Sequence, residues 1–258
     1  MVLTKQMNLK VVGTRLYGNS FVLNDFNRLQ KWIDNALNYS DMVLIATDVV
    51  HFKQIKYFKK IYGSYLRILY VESWISFTQP LNMLVEKSMW LGATQLLLQS
   101  IEIFVNKAQV TKLESHLDKN TLVVGAKMSQ DHAKHFGWQK LTGCSCPWNT
   151  LAIWNVKKLG ITGFLSISSG NLDNIPGGVE EIPVISLLQK LYPDECTAKI
   201  VNVGEIIWEQ NIVCNHRRKL HENKIISKNY RATNQLNFLG IPPGKVYVIR
   251  DNIEKLEQ

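Results

Sequence analysis

The chain has 258 residues, 46% of them hydrophobic, which is enough apolar material for a sizeable core and excludes a disordered chain. Thirty Lys and Arg against 21 Asp and Glu give a net charge of +9 and a pI near 9.3, which favours an anionic partner such as nucleotide phosphates, nucleic acid or anionic lipid. No apolar run is long enough to span a bilayer, and the opening MVLTKQMNLK lacks a signal-peptide core, so the expected compartment is the cytoplasm or the cytoplasmic membrane face.

Strands and helices alternate through the first half. LKVVGTRLY (9–17) reads as a β-branched strand. LNDFNRLQKWIDNALNY (23–39) follows with Phe26, Leu29, Trp32, Ile33, Ala36 and Leu37 at helical spacing and Asn24 or Asp25 as N-cap. DMVLIATD (41–48) is a short buried strand ending in an acid, FKQIKYFKKIY (52–62) an amphipathic helix, and YLRILYVES (65–73) a third strand. QPLNMLVEKSMWLGA (79–93) reads as a helix with Pro80 in its first turn, and TQLLLQSIEI (94–103) as the fourth strand. Continuous apolar strands separated by helices predict an α/β fold, a mainly parallel, Rossmann-like sheet flanked by helices. Ligands in such sheets bind beyond the carboxyl ends of the strands. The residues there are Thr14, Arg15, Tyr17, Asp48, Glu72 and Glu102, a polar and acidic set of the kind a nucleotide-plus-metal site needs.

The second half is less regular. AQVTKLESHL (108–117) reads as a helix and TLVVGAKM (121–128) as a strand. GCSCPWNTLAIWNVKKLG (143–160) is expected to start as a loop and become helical near Trp148, and ITGFLSISSG (161–170) to be strand or loop. NLDNIPGGVEEIPVISLLQKLYP (171–193) is a Gly/Pro loop leading into a helix at about Val179, and AKIVNV and KVYVIRD are further strands. Cys144-x-Cys146 has no matching second pair, so reduced thiols in a packed loop outweigh a metal site. The basic run NHRRKLHENKIISKNYR (215–231) reads as a solvated helix face, with no nucleic-acid-binding signature beside it. No repeat or linker divides the chain, so one domain is expected, with residues 1–105 holding a nucleotide, 106–210 an acceptor, and 211–258 forming a basic extension.

This order of elements, over roughly residues 9 to 210, resembles the GT-A class of nucleotide-sugar glycosyltransferases. The resemblance implies a sugar moved from a nucleotide-sugar donor to an acceptor hydroxyl, with a divalent cation, Mn²⁺ or Mg²⁺, on the departing diphosphate. It assigns nucleotide contacts to Thr14, Arg15, Tyr17 and Asp48, and donor contacts to Asn82 and Lys87 on the helix PLNMLVEK. In the family the fourth strand carries Asp-x-Asp. This chain has Ser100-Ile101-Glu102, which leaves Glu102 as the metal ligand and Ser100 as a weaker donor contact, so the cation is dispensable in one reading. A strand-end acid capping the next turn is the equal alternative.

The family's catalytic base lies after a late Gly-rich loop, here PGGVEE, and Glu180 or Glu181 fills that role. Both acids also suit a helix N-terminus simply by charge, but that leaves Gly177-Gly178 unexplained. Successive helical residues point about 100° apart, so one of the two is expected to face the site. Trp148 and Asn149 fall on the acceptor side, offering an aromatic face and an amide to a sugar, whereas Trp154 reads as packing. Glu72 is a weaker candidate, His216 and His221 have no motif to anchor them, and Lys224 and Arg231 could reach a diphosphate from the C-terminal segment. An inverting outcome follows from a single base. A sugar nucleotidyltransferase is the alternative, on Gly13-Thr14-Arg15, but the glycines that would wrap a triphosphate are missing. A non-catalytic binding module is the third reading. The basic balance favours an anionic acceptor, a lipid or polymer, with peripheral membrane contact allowed.

Overall fold

The computed structural model describes residues 9–18, 26–208 and 215–250, with side chains from 227 onward in the last segment. The expected N-cap Asn24 or Asp25 lies outside the described residues, as do the side chains of His216, His221 and Lys224.

The first strand, β1 (Leu9–Leu16), leads to helix α1 (Phe26–Leu37) and strand β2 (Met42–Thr47). Two short helices, α2 (Val49–Ile55) and α3 (Phe58–Tyr62), precede β3 (Leu66–Tyr70). Then come α4 (Gln79–Trp90), β4 (Ala93–Gln99), β5 (Ile103–Phe104), α5 (Lys107–Glu114), β6 (Thr121–Ala126), β7 (Gly137–Lys140), β8 (Leu151–Asn155) and α6 (Val156–Leu159). The last elements are α7 (Glu181–Leu191), β9 (Thr197–Val201), β10 (Ile207–Trp208), α8 (Asn215–Leu239) and β11 (Lys245–Val248).

Nine strands form one sheet in the order β3-β2-β1-β4-β8-β6-β9-β11-β7. All pairings are parallel except those of β8 with β4 and β6, and of β7 with β11. β5 and β10 form a separate antiparallel pair. The expected α/β class is therefore observed, a mostly parallel sheet covered by helices on both sides.

The pleat explains the two cores. Successive strand residues face opposite sides, so Val11, Leu44, Ala46, Leu96 and Leu98 pack with α4, α6, α7 and α8, while Val12, Val43, Ile45 and Leu97 pack with α1, α3 and α5. Helix α1 buries Leu29, Trp32, Ile33 and Ala36, the stripe its spacing predicts. Each large apolar side chain so buried contributes about 1.5–3 kcal/mol.

Several segments differ from the sequence expectation. FKQIKYFKKIY is two helices, because Asp48 caps the first through His51 N–H and Lys56 and Tyr57 turn the chain before the second. The fourth strand stops at Gln99, and Ser100 to Glu102 form a turn. The stretch after Trp148 is a strand, not a helix, because Leu151–Asn155 inserts antiparallel between β4 and β6 and is buried through Trp154. Gly125 makes the crossing possible, since a Cβ there would lie 2.6 Å from Pro147 Cβ. ITGFLSISSG contains only a 3-10 turn, Ser166–Ser168. The basic C-terminal run 215–231 is part of α8; beyond the run the same helix docks on the protein, with Ala232, Gln235 and Leu236 buried against α7 and the loop before it.

Candidate active site

β8 runs against β4, so its N-terminal end meets the carboxyl ends of β1 and β4. The start of α7 reaches the same place. A cavity of about 680 Å³ opens there, lined by Thr14 and Arg15 of β1, Ser100 after β4, Trp148 to Thr150 before β8, Glu180 and Glu181 at α7, and Lys228 of α8. Residues far apart in sequence are joined across it: Arg15 Nη1 donates to Glu180 Oε1 at 3.1 Å and to the Phe77 carbonyl at 3.0 Å.

The wall carrying the two acids is built by close backbone approach. Gly177 packs on Gly170; a Cβ on Gly177 would stand 2.6 Å from Gly170 Cα and 2.7 Å from Phe77 Cδ2. The fully buried Gln235 of α8 holds this loop, its Nε2 donating to the carbonyls of Pro176 (2.8 Å) and Gly178 (2.9 Å) while its Oε1 accepts from Ser168 Oγ (2.9 Å). Val179, just before the acids, has φ of 54°. That region is costly for a β-branched residue, on the order of 1–3 kcal/mol, and persists only where the surroundings enforce it.

Glu180 and Glu181 are 7% and 6% exposed. Glu181 Oε1 accepts the Asn149 backbone N–H at 2.6 Å. Burial pushes the Glu181 carboxyl up to about 7, the charge of Glu180 adds to the rise, and the Asn149 N–H and Lys228 pull against it. A carboxyl poised near neutrality can take up a proton at working pH, as a general base must.

Trp148 lines the cavity. His132 stacks on its ring at 3.9 Å between centroids and 11° between planes, and Lys228 Nζ stands 3.2 Å from the ring centroid. A ring and an ammonium cannot share one face at those distances, so both faces of Trp148 are covered and neither is open for sugar stacking. Its indole N–H donates to the Gly143 carbonyl at 2.9 Å. Asn149 Oδ1 accepts from Trp154 Nε1 at 2.9 Å, while its Nδ2 has no hydrogen-bond partner. At the opposite side Tyr17 stacks on Trp74, 4.7 Å between centroids and 17° between planes, and both line the cavity.

The structure thus brings together Thr14, Arg15, Tyr17, Ser100, Trp148, Asn149, Glu180 and Glu181. Asp48, Glu72, Asn82, Lys87, Glu102 and Arg231 stand outside the cavity lining. Asp48 is occupied as a cap: Oδ1 accepts from His51 N–H and pairs with His51 Nδ1, and Oδ2 accepts from Gly18 N–H. Burial alone would raise its pKa, but these hydrogen bonds prevail and hold it below the ordinary value. The Asn82 amide is spent on both backbone groups of Phe164, at 2.9 and 2.7 Å. Lys87, in the last turn of α4, lies over Trp90. Glu102 sits in the turn after β4, where its carboxylate accepts from Trp208 Nε1 at 3.4 Å. Sequence reasoning missed Trp74, Lys228 and Gln235. Trp74 had a signal, an aromatic residue in the loop after the third strand; the other two sit on a helix whose pattern gives no hint of what it faces.

A divalent cation is implied by the resemblance, and the residues present do not fit one at that position. The end of β4 brings Leu98, Gln99 and Ser100 to the cavity and no carboxylate: the Gln99 amide is engaged by Tyr39 and the Ile103 carbonyl, and Ser100 Oγ accepts the Glu102 backbone N–H at 3.4 Å. The two acids that do reach the cavity are engaged by Arg15 and Asn149. Among the described residues no group of three His, Cys, Asp or Glu is arranged to hold a metal ion.

No protein-family model and no curated protein sequence matches the chain. Solved structures do. A mannosyltransferase from Pyrobaculum calidifontis, in complex with GDP-Man and Mn²⁺, is similar with a TM-score of 0.62 and 9% identity over 88% of this chain and 64% of that one. The chain therefore spans less than two thirds of that protein's length. The 4-diphosphocytidyl-2C-methyl-D-erythritol synthase of Anaerococcus prevotii is similar with a TM-score of 0.54, 14% identity, and coverage of 88% and 96%. An inositol-1-phosphate CTP transferase from T. maritima follows with 0.50, 8%, and coverage of 84% and 96%. The fold is that of the GT-A-type nucleotide-sugar glycosyltransferases, shared with nucleotidyltransferases. Among the described residues no helix is long and apolar enough to cross a membrane.

Proposed function

We propose that this chain is a glycosyltransferase that moves a sugar from a nucleotide-sugar donor to an acceptor hydroxyl with inversion, using Glu181 as general base. The observation that carries this reading is the buried Glu181 carboxyl, raised to about 7, in a cavity at the strand carboxyl ends. The stacked Tyr17–Trp74 pair suits the donor's base, and Thr14 and Arg15 suit its ribose and phosphate side. The acceptor oxygen forms its bond to the anomeric carbon as the carbon–phosphate-oxygen bond breaks. The hydroxyl proton passes to Glu181, and the nucleoside diphosphate leaves with the bonding pair. Arg15, paired with Glu180, positions that acid and keeps its charge beside Glu181. Asn149 supplies an amide to the acceptor side, and the basic surface favours an anionic lipid or polymer as acceptor.

The test is a panel of nucleotide sugars, with nucleoside diphosphate release followed for wild type and Glu181→Gln. One donor should turn over, and the variant should lose about 10²-fold or more in kcat while binding the donor within a few-fold. Unchanged turnover by Glu181→Gln removes this mechanism.

A sugar nucleotidyltransferase is the second reading, favoured by the 96% coverage of both nucleotidyltransferases against 64% of the mannosyltransferase. Gly13-Thr14-Arg15 lacks the glycines that wrap a triphosphate, which ranks it lower. Pyrophosphate release from a nucleoside triphosphate and a sugar phosphate would establish it. Absence of any nucleotide or nucleotide-sugar binding by calorimetry would instead mark a non-catalytic module.

A further inference from the structure

We propose that Lys228 takes the place of the divalent cation, holding the donor's diphosphate with its ammonium in a site that needs no metal. The inference rests on the glycosyltransferase reading and goes beyond it by naming the group that receives the leaving charge.

A departing diphosphate needs positive charge, and among the described residues two cationic side chains line the cavity, Arg15 and Lys228. The Arg15 charge is already paired with Glu180 through Nη1, which also donates to the Phe77 carbonyl, so toward the phosphate side it adds hydrogen-bond donors rather than an uncompensated charge. Lys228 is in a different state. Its Nζ lies over the Trp148 ring, and among the described residues no carboxylate stands within ion-pair distance of it. A half-buried ammonium facing a π-system keeps its charge available to an incoming anion.

The seat is built for it. Gly143 leaves room for α8 to approach, since a Cβ there would stand 2.4 Å from Lys228 Cβ and 2.6 Å from Lys228 C. Trp148, which sets the height of the ammonium, is fixed by its bond to the Gly143 carbonyl and by the stacked His132. One turn further along α8, Arg231 Nη1 reaches the Gly177 carbonyl at 3.4 Å, adding positive charge at the same wall. Burial lowers the Lys228 pKa, so a bound anion would restore interaction that the ammonium lost on leaving water. The carboxylate that would hold a metal, Glu102, is turned to Trp208 instead.

The full chain is titrated calorimetrically with UDP, GDP, CDP and ADP and the matching nucleosides, each in EDTA and in Mn²⁺. One nucleoside diphosphate should bind wild type equally well in both buffers. Lys228→Met should weaken it about tenfold or more, leave the nucleoside within about twofold, and recover on Lys228→Arg; Glu102→Ala should bind as wild type. Lys228→Gln repeats the measurement should the Met variant melt early. Binding that requires Mn²⁺, or a Lys228→Met affinity within about twofold of wild type, overturns the assignment while leaving the glycosyltransferase reading intact. Failure of wild type to bind any nucleoside diphosphate in either buffer overturns both.

Discussion

Replacing Gln235 by Leu tests how the acid-bearing wall is held. The side chain is 0% exposed and makes three hydrogen bonds of 2.8 to 2.9 Å, to Pro176 O, Gly178 O and Ser168 Oγ. Leu is close in volume, so little cavity opens, but two buried carbonyls lose their donor and a hydroxyl its acceptor. Each buried group so stranded costs about 1–3 kcal/mol. The Ser168 hydroxyl can rotate, so the carbonyls dominate, and the extra apolar burial of Leu returns about 1 kcal/mol. The net expectation is a loss of about 3 kcal/mol. In a chain of this size that is a fall of roughly 6–10 °C in melting temperature. Urea unfolding followed by the fluorescence of the seven tryptophans measures it, and Ser168→Ala, removing one donor only, should cost about 1 kcal/mol. A Gln235→Leu variant within about 0.5 kcal/mol of wild type at unchanged m-value would refute the reasoning, because those carbonyls would then have other partners.

Three further predictions follow from the same wall. Glu181 must be ionised to accept a proton, so kcat/KM should rise with pH on a limb near 7, and Glu180→Gln, which removes the neighbouring charge, should move that limb to lower pH. The stability linkage has the opposite sense. The folded state holds the Glu181 proton more tightly than the unfolded chain, so this stability is full below the ordinary value of 4.5 and is lost as pH rises through about 7; Glu181→Gln should flatten that dependence in unfolding experiments. Gly177→Ala should destabilise by about 1–3 kcal/mol in thermal unfolding, because its Cβ meets the Gly170 backbone, which cannot rotate away as a side chain could.

Much of the fold was legible in the residues because its determinants are local. The period of α1 follows from Leu29, Trp32, Ile33 and Ala36, and the continuous apolar runs of β2 and β4 declare a sheet covered on both faces. A helix start at about Val179 is visible in the glycines and acids of PGGVEE, and α7 opens two residues later, at Glu181. Once such a sheet is expected, the ligand crevice follows, and of its strand-end residues Thr14, Arg15 and Tyr17 reach the cavity while Asp48, Glu72 and Glu102 do not.

Tertiary structure decided the rest, for reasons no local pattern carries. LAIWN is apolar enough for helix or strand, and only the gap between β4 and β6, opened by Gly125 beneath Pro147, makes it β8. Asp48, Asn82 and Glu102 have the chemistry of a nucleotide or metal site, yet their oxygens are taken by His51 and Gly18, by Phe164, and by Trp208, partners set by packing. Lys228 lies in the basic run 215–231 that reads as a solvated face, and Gln235 lies just beyond it on the same helix. It is the docking of α8 on the wall of the cavity that buries one as a clamp and sets the other over Trp148. Sequence determines which side chains can bear charge and which must be buried. Which charges remain available in the cavity depends on the neighbours each finds after folding, because a hydrogen bond made inside the protein removes that group from ligand chemistry.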